Sequence, residues 1–302
     1  MIVGIGANVY DTLITLSDFP QEDTKMRAES VKVSGGGPCA TGLCAAARLG
    51  AKAAYIGVLS KDSCGSFLLD DMARYGLDNS FVDTVGGYSP FTSCIWLNTK
   101  TASRTCVFDK GNIPPLSLSK KQKQAIANAD ILMVDGNELG AAIEGAKTAR
   151  QNGTKVLYDA GGLYDGIERL LPLCDILIPS AEFATGHTKT SDIESAARAM
   201  FKMYSPQVVV VTDGKNGGIL YDGKTAWHYP AFTVNAVDSN GAGDVFHGAF
   251  AFCVQMGYNY KKCCVFSSAV SAIKCTGVGA RESVPEFNDV INFLKERGIN
   301  EL

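Results

Sequence analysis

Short apolar runs alternate with longer stretches of helical periodicity along almost the whole chain. Val3–Gly6, Ala54–Leu59, Ile131–Asp135, Lys155–Asp159, Asp175–Pro179 and Val208–Thr212 are apolar on both faces. Runs of this kind predict strands of a parallel sheet covered by helices on both sides. Helical patterns stand between several of them. Pro38–Leu49 has proline in its first turn and Gly50 just past its end, and Asp62–Tyr75 closes on Gly76. Near the C-terminus, Ala242–Met256 and Tyr260–Cys275 are mostly small and apolar, which predicts burial. Glu286–Arg297, with Asp289, Lys295 and Glu296, predicts a surface helix. The class is α/β with a mostly parallel central sheet.

Two stretches break this rhythm. Residues from about 11 to 34 and from about 89 to 112 alternate polar and apolar positions without a helical period. In the second, Thr92–Asn98 and Arg104–Phe108 flank a polar turn and read as a hairpin. Together they predict a small exposed β-flap on the α/β body. There is no internal repeat and no linker-like segment.

Composition narrows the classes of function. The chain has 302 residues, 46% hydrophobic and 20% charged, which is ample core for one large α/β unit or two domains. A net charge of −3 without a basic stripe argues against a nucleic-acid partner. No apolar run approaches the roughly 20 residues that span a bilayer. Met1–Gly6 lacks a basic start and reads as a first strand, not as a signal peptide. The ten cysteines form no Cys-x-x-Cys, and none of His187, His228 and His247 lies near a cysteine pair. Free buried thiols, and hence a reducing cytoplasmic setting, are the expectation rather than zinc or disulfides.

The stretch with most chemical content is Asp238-Ser-Asn-Gly-Ala-Gly-Asp244-Val-Phe-His-Gly248. A helix starting after such a turn presents unpaired backbone N–H groups and about half a positive charge. Gly241 and Gly243 allow an anion close to that backbone, and Asp244 supplies a base beside it. A base next to an anion hole suits phosphoryl transfer to an alcohol. On these residues alone, an ordinary capping aspartate after a glycine turn is an equal reading. Gly4-Ile-Gly-Ala-Asn-Val9 starts like a dinucleotide fingerprint but lacks the last glycine and the following helix. The sequence contains no Gly-x-Ser-x-Gly elbow. His247 reads as a residue packed inside its helix.

The run Asp238–Gly248 resembles the C-terminal signature of the ribokinase-like (PfkB) carbohydrate kinases. Ser34-Gly-Gly-Gly-Pro-Cys-Ala-Thr-Gly-Leu-Cys-Ala-Ala-Ala-Arg-Leu-Gly50 resembles their N-terminal one, and the two lie in that family's order. The resemblance implies a three-layer α/β/α sandwich in which residues 1–302 form one kinase domain. The flap becomes a small β-sheet lid over a sugar, often shared across a homodimer. ATP with Mg²⁺ is the implied phosphate donor, and Asp244 the catalytic base beside Gly241, Ala242 and Gly243. Asp11, Gly36, Gly37 and Thr41 would bind the sugar, with Arg104 and Asp135 in reach of it. Ser180, Thr212, Gly214, Gly217 and Ser268 would hold the nucleotide, and Glu182 would help organise Mg²⁺. Asp238, Asn240, Lys274, Gly277, Gly279 and Ser283 would surround a monovalent cation, K⁺.

The sequence departs from that pattern in two places. Thr41 stands where the family usually has asparagine, and Ser180 and Phe183 replace the asparagine and glutamate of its Asn-x-x-Glu stretch, with Glu182 one residue early. Phe19–Arg27 and Ser103–Phe108 are similar to lid segments of ketohexokinase-like fructose kinases, which tilts the substrate toward a ketose or furanose-type sugar. A nucleoside kinase, with Tyr10, Phe91 and Trp96 as an aromatic platform, is the alternative, as is a 2-keto-3-deoxygluconate-type kinase. A rival of another class is a sugar- and nucleotide-binding protein without catalysis.

Overall fold

The computed structural model describes residues 1–300 apart from Ala102 and Leu163. Its strands are β1 (Ile2–Ile5), β2 (Val9–Leu16), β3 (Ser30–Gly36), β4 (Ala53–Ser60), β5 (Val82–Val85), β6 (Thr92–Asn98) and β7 (Arg104–Asp109). They continue with β8 (Ile131–Val134), β9 (Lys155–Ala160), β10 (Ile176–Pro179), β11 (Val208–Thr212), β12 (Gly218–Tyr221) and β13 (Ala226–Tyr229). The helices are α1 (Pro38–Arg48), α2 (Ser63–Arg74), α3 (Lys120–Ala127), α4 (Leu139–Asn152) and α5 (Ala181–Thr188). After these come α6 (Ile193–Tyr204), α7 (Ala242–Gln255), α8 (Tyr260–Lys274) and α9 (Phe287–Lys295).

Nine strands form one sheet in the order β13-β12-β11-β10-β9-β8-β1-β4-β5. From β11 to β5 all pairings are parallel, and only the edge hairpin β12–β13 runs antiparallel. Successive side chains point to opposite faces, so each all-apolar strand feeds two cores. Val208 and Val210 join the core under α1, α2, α7, α8 and α9, while Val209 and Val211 join the one under α3, α4, α5 and α6. This is the expected three-layer sandwich. The edge hairpin was not read from the sequence, because four-residue strands around Asp222-Gly223 carry little pattern.

The two irregular stretches form a separate four-stranded sheet, β3-β2-β6-β7, with β2 and β6 parallel and the outer pairs antiparallel. Register gives its two faces opposite characters. Ser34, Asp11, Ser93 and Phe108 form one cross-strand row, with Leu13, Ile95 and Leu97 packed beside it against Val278. The reverse face carries Val33, Thr12, Cys94 and Val107 in one row, and Val31, Ile14 and Trp96 in the next.

One contact sets how α1 and α7 lie. A Cβ on Gly248 would overlap the carbonyl of Gly42, so the two helices meet backbone to backbone. That contact draws the start of α7 in toward α1, since a Cβ on Gly42 would sit 3.1 Å from the carbonyl oxygen of Asp244. Helix propensity alone makes Gly248→Ala stabilising by up to about 1 kcal/mol. Overpacking reverses the sign here: we expect a loss of about 1–3 kcal/mol in denaturant unfolding. An unchanged or raised midpoint would contradict the contact.

Candidate active site

The N-terminus of α7 is left open by its own sequence. Gly241 caps it in the left-handed region at φ 76°, and a Cβ there would meet Ala280 at 2.7 Å, so only glycine fits. No side chain caps the helix. The Ala242 N–H is turned to the Ser239 carbonyl at 3.2 Å, which removes one of the expected anion-hole donors. Among the described residues, the N–H groups of Gly243 and Asp244 have no acceptor outside the helix. The free donors and the helix dipole face the same way, toward an incoming anion. Asp244 is partly buried, and burial raises its carboxyl above the ordinary carboxylate range, opposed by charge from His247, Arg104, Lys274 and Arg281. A carboxylate shifted upward is a stronger base.

Beside this turn lies a cavity of about 560 Å³ lined by Thr212, Gly214, Gly217, Ser268, Ala242 and Gly243. Four of the five expected nucleotide residues therefore share one cavity. Gly217 sits at φ 84° with its would-be Cβ against the Tyr229 carbonyl, which forces the turn after β11. Tyr229, Phe232 and Phe246 give the cavity an apolar wall, while Ser239, Ser271 and Lys215 add polar groups. Ser180 is the exception. Its hydroxyl caps α5 by accepting from the Phe183 N–H at 3.1 Å, and only its backbone bridges to Thr212. Glu182 is exposed on the first turn of α5 and lines neither cavity described here. The next position points inward: Phe183 is 2% exposed and packs on Tyr158, so a glutamate there would bury a charge.

On the small sheet, Asp11 is buried and its Oδ1 accepts from Ser93 Oγ at 2.6 Å. Burial pushes its carboxyl up to about 6, against the pull of Ser93 and Arg281. A Cβ on Gly36 would overlap the Asp11 carboxylate, and Gly37, at φ 88°, would press on the Ala7 carbonyl. These glycines therefore hold β3 and the start of α1 close around Asp11. Arg104 is exposed on β7, on the Asp11 face of the small sheet by register.

Three expectations need correcting here. Thr41 is fully buried and its hydroxyl accepts from Arg281 Nε at 3.3 Å, so it faces an internal guanidinium instead of a sugar. Asp135 is 2% exposed, and its oxygens accept from the N–H groups of Ala7, Cys39 and Asn137 at 2.8, 3.1 and 2.9 Å. It ties the end of β8 to β1 and α1, with burial raising its pKa. The aromatic platform does not assemble. Tyr10 packs on Phe67 and Phe91 on Phe108, and Trp96 lies on the sheet face opposite Asp11.

Several residues of the site region were not anticipated. Arg281 is fully buried, donating to Asp71 at 2.7 Å, Asn8 at 3.0 Å, the Gly36 carbonyl at 2.6 Å and Thr41. His247 bridges α7 to β10. Its Nδ1 faces the Gly243 carbonyl at 2.6 Å and its Nε2 the Ile178 carbonyl at 2.8 Å. Burial pushes the His247 pKa down against those two carbonyls and Asp244. Asp159 Oδ2 lies 3.2 Å from Nδ1 without a hydrogen-bond donor of its own, and burial raises its pKa well above the usual range. Lys274, expected among oxygen ligands of a cation, is instead a donor, with Nζ 2.7 Å from the Asp238 carbonyl. A second cavity, about 370 Å³, opens over the ends of β1, β4 and β8, with Asn8, Phe91, Lys110 and Glu138 in its wall. Among the described residues all ten cysteines are free, no helix is long and apolar enough to cross a membrane, and no three His, Cys, Asp or Glu side chains are grouped to hold a metal.

The model of the pfkB family of carbohydrate kinases matches residues 1–286. The chain belongs to that family. It is similar to the ribokinase of Haemophilus influenzae, at 27% identity over 96% of this chain and 97% of the relative. It is similar to the deoxyribokinase of Salmonella typhi, at 26% identity over 97% and 98% of the two chains. The solved structure of Arabidopsis thaliana ribokinase, complexed with ribose and ATP, has the same fold, with a TM-score of 0.86, 23% identity and coverage of 97% and 98%. This protein is thus a carbohydrate kinase with the ribokinase fold.

The raised pKa of Asp11 has a consequence for stability. The folded value lies above the ordinary 3.8 of the unfolded chain, so the native state holds this proton more tightly between pH 4 and 6. Stability contributed by the protonated form is present below pH 4 and lost as the pH rises through 6. We expect Asp11→Asn to match the wild type at pH 4 and to exceed it by about 2 kcal/mol at pH 7. Denaturant unfolding at the two pH values checks this, and a difference independent of pH would contradict it.

Proposed function

We propose that this carbohydrate kinase transfers the γ-phosphoryl group of ATP to a hydroxyl of a furanose-form sugar, with Asp244 as the base. The observation that carries the reading is the open start of α7. It presents two free N–H groups and the Asp244 carboxyl at the edge of a cavity whose hydroxyls, lysine and apolar wall fit a nucleotide. The names of the relatives, ribokinase and deoxyribokinase, weight the sugar toward a pentose over the ketose that the lid segments favoured.

The chain's residues divide the work by position. Thr212 and the turn from Gly214 to Gly217 approach phosphate oxygens, and Ser268 lies in the same cavity wall. Asp11, ionised, accepts hydrogen bonds from sugar hydroxyls and fixes which one faces Asp244. An alcohol is too weak an acid to ionise first, so Asp244 takes its proton during attack. The N–H groups of Gly243 and Asp244 stabilise charge growing on the transferred group. Mg²⁺ fits as an ion carried by the ATP phosphates and water, since the described residues offer it no carboxylate cage. When bound, it neutralises phosphate charge.

The small sheet serves as the lid, and its reverse face as the contact with a second copy. Val31, Val33 and Val107 are 61%, 41% and 63% exposed there, an apolar surface that a lone chain would leave in water. Two expectations follow. Asp244→Asn should lose about 10²–10⁴-fold in turnover with ATP affinity nearly intact, read by ADP release over a panel of pentoses, ketoses and nucleosides. Near-wild-type turnover would remove the proposed base. Val107→Glu should convert a dimer to a monomer in light scattering; a monomeric wild type, or a dimeric variant, would contradict the lid contact.

A further inference from the structure

The family resemblance implies a monovalent cation between the loop that starts at Asp238 and the loop that follows α8. The residues present do not fit one, because that place already holds a positive charge. Lys274 is the last residue of α8, and its side chain is fully buried. Its ammonium donates to the Asp238 carbonyl at 2.7 Å and lies 3.9 Å from the Asp238 carboxylate, which is also fully buried. An ammonium has donors and no acceptor, so it cannot ligate a cation and occupies the oxygens that would.

The rest of the junction is closed by internal donors. Asp238 Oδ1 accepts from the Asn240 N–H at 2.8 Å and Oδ2 from the Gly279 N–H at 2.9 Å. The N–H groups of Val237 and Asp238 both point to the Cys275 carbonyl, at 2.7 and 3.2 Å. Ser283 Oγ donates to the Gly279 carbonyl at 3.2 Å. A diffusible cation entering this junction would face the repulsion of a fixed ammonium that already holds the Asp238 carbonyl and faces its carboxylate.

We propose that the Lys274 ammonium is a built-in monovalent cation, so that this enzyme works without K⁺. Its task is positional. It pins the Asp238 carbonyl and balances the Asp238 carboxylate, and this fixes the loop that ends at Gly241, where α7 begins with its free N–H groups. Lys274 is thus a positioning residue acting through Asp238 and the anion hole, and the inference rests on the kinase reading above.

Two measurements on the wild-type protein test it. At constant ionic strength, ADP release with the best sugar should change less than twofold when choline is replaced by K⁺, Na⁺ or NH₄⁺. Activation by K⁺ of fivefold or more overturns the proposal. Thallium-205 NMR should show no ion bound at low millimolar concentration, and a saturable bound signal overturns it independently of any activity. If no sugar, nucleoside or salt supports phosphoryl transfer, the kinase reading fails, while the thallium measurement still decides the cation question. Lys274→Met should lose at least tenfold in choline and regain at least half of the loss with NH₄⁺ or K⁺. A folded variant that neither salt restores contradicts the role given to the ammonium; should the variant not fold, the wild-type measurements decide.

Discussion

The site depends on one close approach, the backbone contact of Gly42 in α1 with Gly248 in α7. Two helices that meet without side chains between them can place their N-termini against the same surface. The start of α1 brings Gly36 and Gly37 around Asp11, and the start of α7 brings Gly243 and Asp244. At α1 the Asp135 carboxylate takes the Cys39 N–H and the Ala7 carbonyl takes the Ala40 N–H, while α7 leaves the Gly243 and Asp244 N–H groups without a side-chain cap. In a partly closed site the same donors become a concentrated positive end.

Charge deep in the protein follows a second constraint. Asp11, Asp135, Asp159 and Asp244 are all held above the usual carboxylate range, burial being the first cause in each case. Several buried acids are answered locally, although Asp159 Oδ2 has no hydrogen-bond donor. Asp135 is satisfied by backbone N–H groups, Asp159 faces His247, and Asp71 and Asp238 pair with the buried cations Arg281 and Lys274. Removing a single partner from such an arrangement would cost more than the pair contributes, because the survivor would remain buried and unpaired. The small sheet adds Asp11 to this group from outside the large one.

Much of this was legible in the sequence. The all-apolar runs predicted the parallel sheet, and the Gly-Ala-Gly-Asp turn marked a helix start, with an open N-terminus and a capping aspartate as equal readings, because both are local signals. Thr212, Gly214, Gly217 and Ser268 could be assigned to one region by resemblance, and they line one cavity. What was not legible is where a side chain goes once the backbone is set. Thr41 turns to Arg281, a residue some 240 positions away in the chain, and nothing near either residue announces the pairing. Ser180 is a cap because α5 starts immediately after it, and Phe183 is apolar because its position faces Tyr158. Asp135 sits at a strand end like a ligand, yet its oxygens meet two N–H groups from other elements, those of Ala7 and Cys39, and one from its own loop, that of Asn137. Lys274 illustrates the same limit: the loop motif around it resembles a cation site, and only the folded path of its side chain reveals that the cation is its own.

The central claim is that the start of α7 is where phosphate charge is stabilised and where a sugar hydroxyl is deprotonated. A crystal structure with ADP, aluminium fluoride and ribose tests it most directly. The account predicts fluorides within hydrogen-bond reach of the Gly243 and Asp244 N–H groups, with one ribose hydroxyl in line and within about 3 Å of the Asp244 carboxylate. Aluminium fluoride bound elsewhere, or a sugar whose hydroxyls all point away from Asp244, would contradict it.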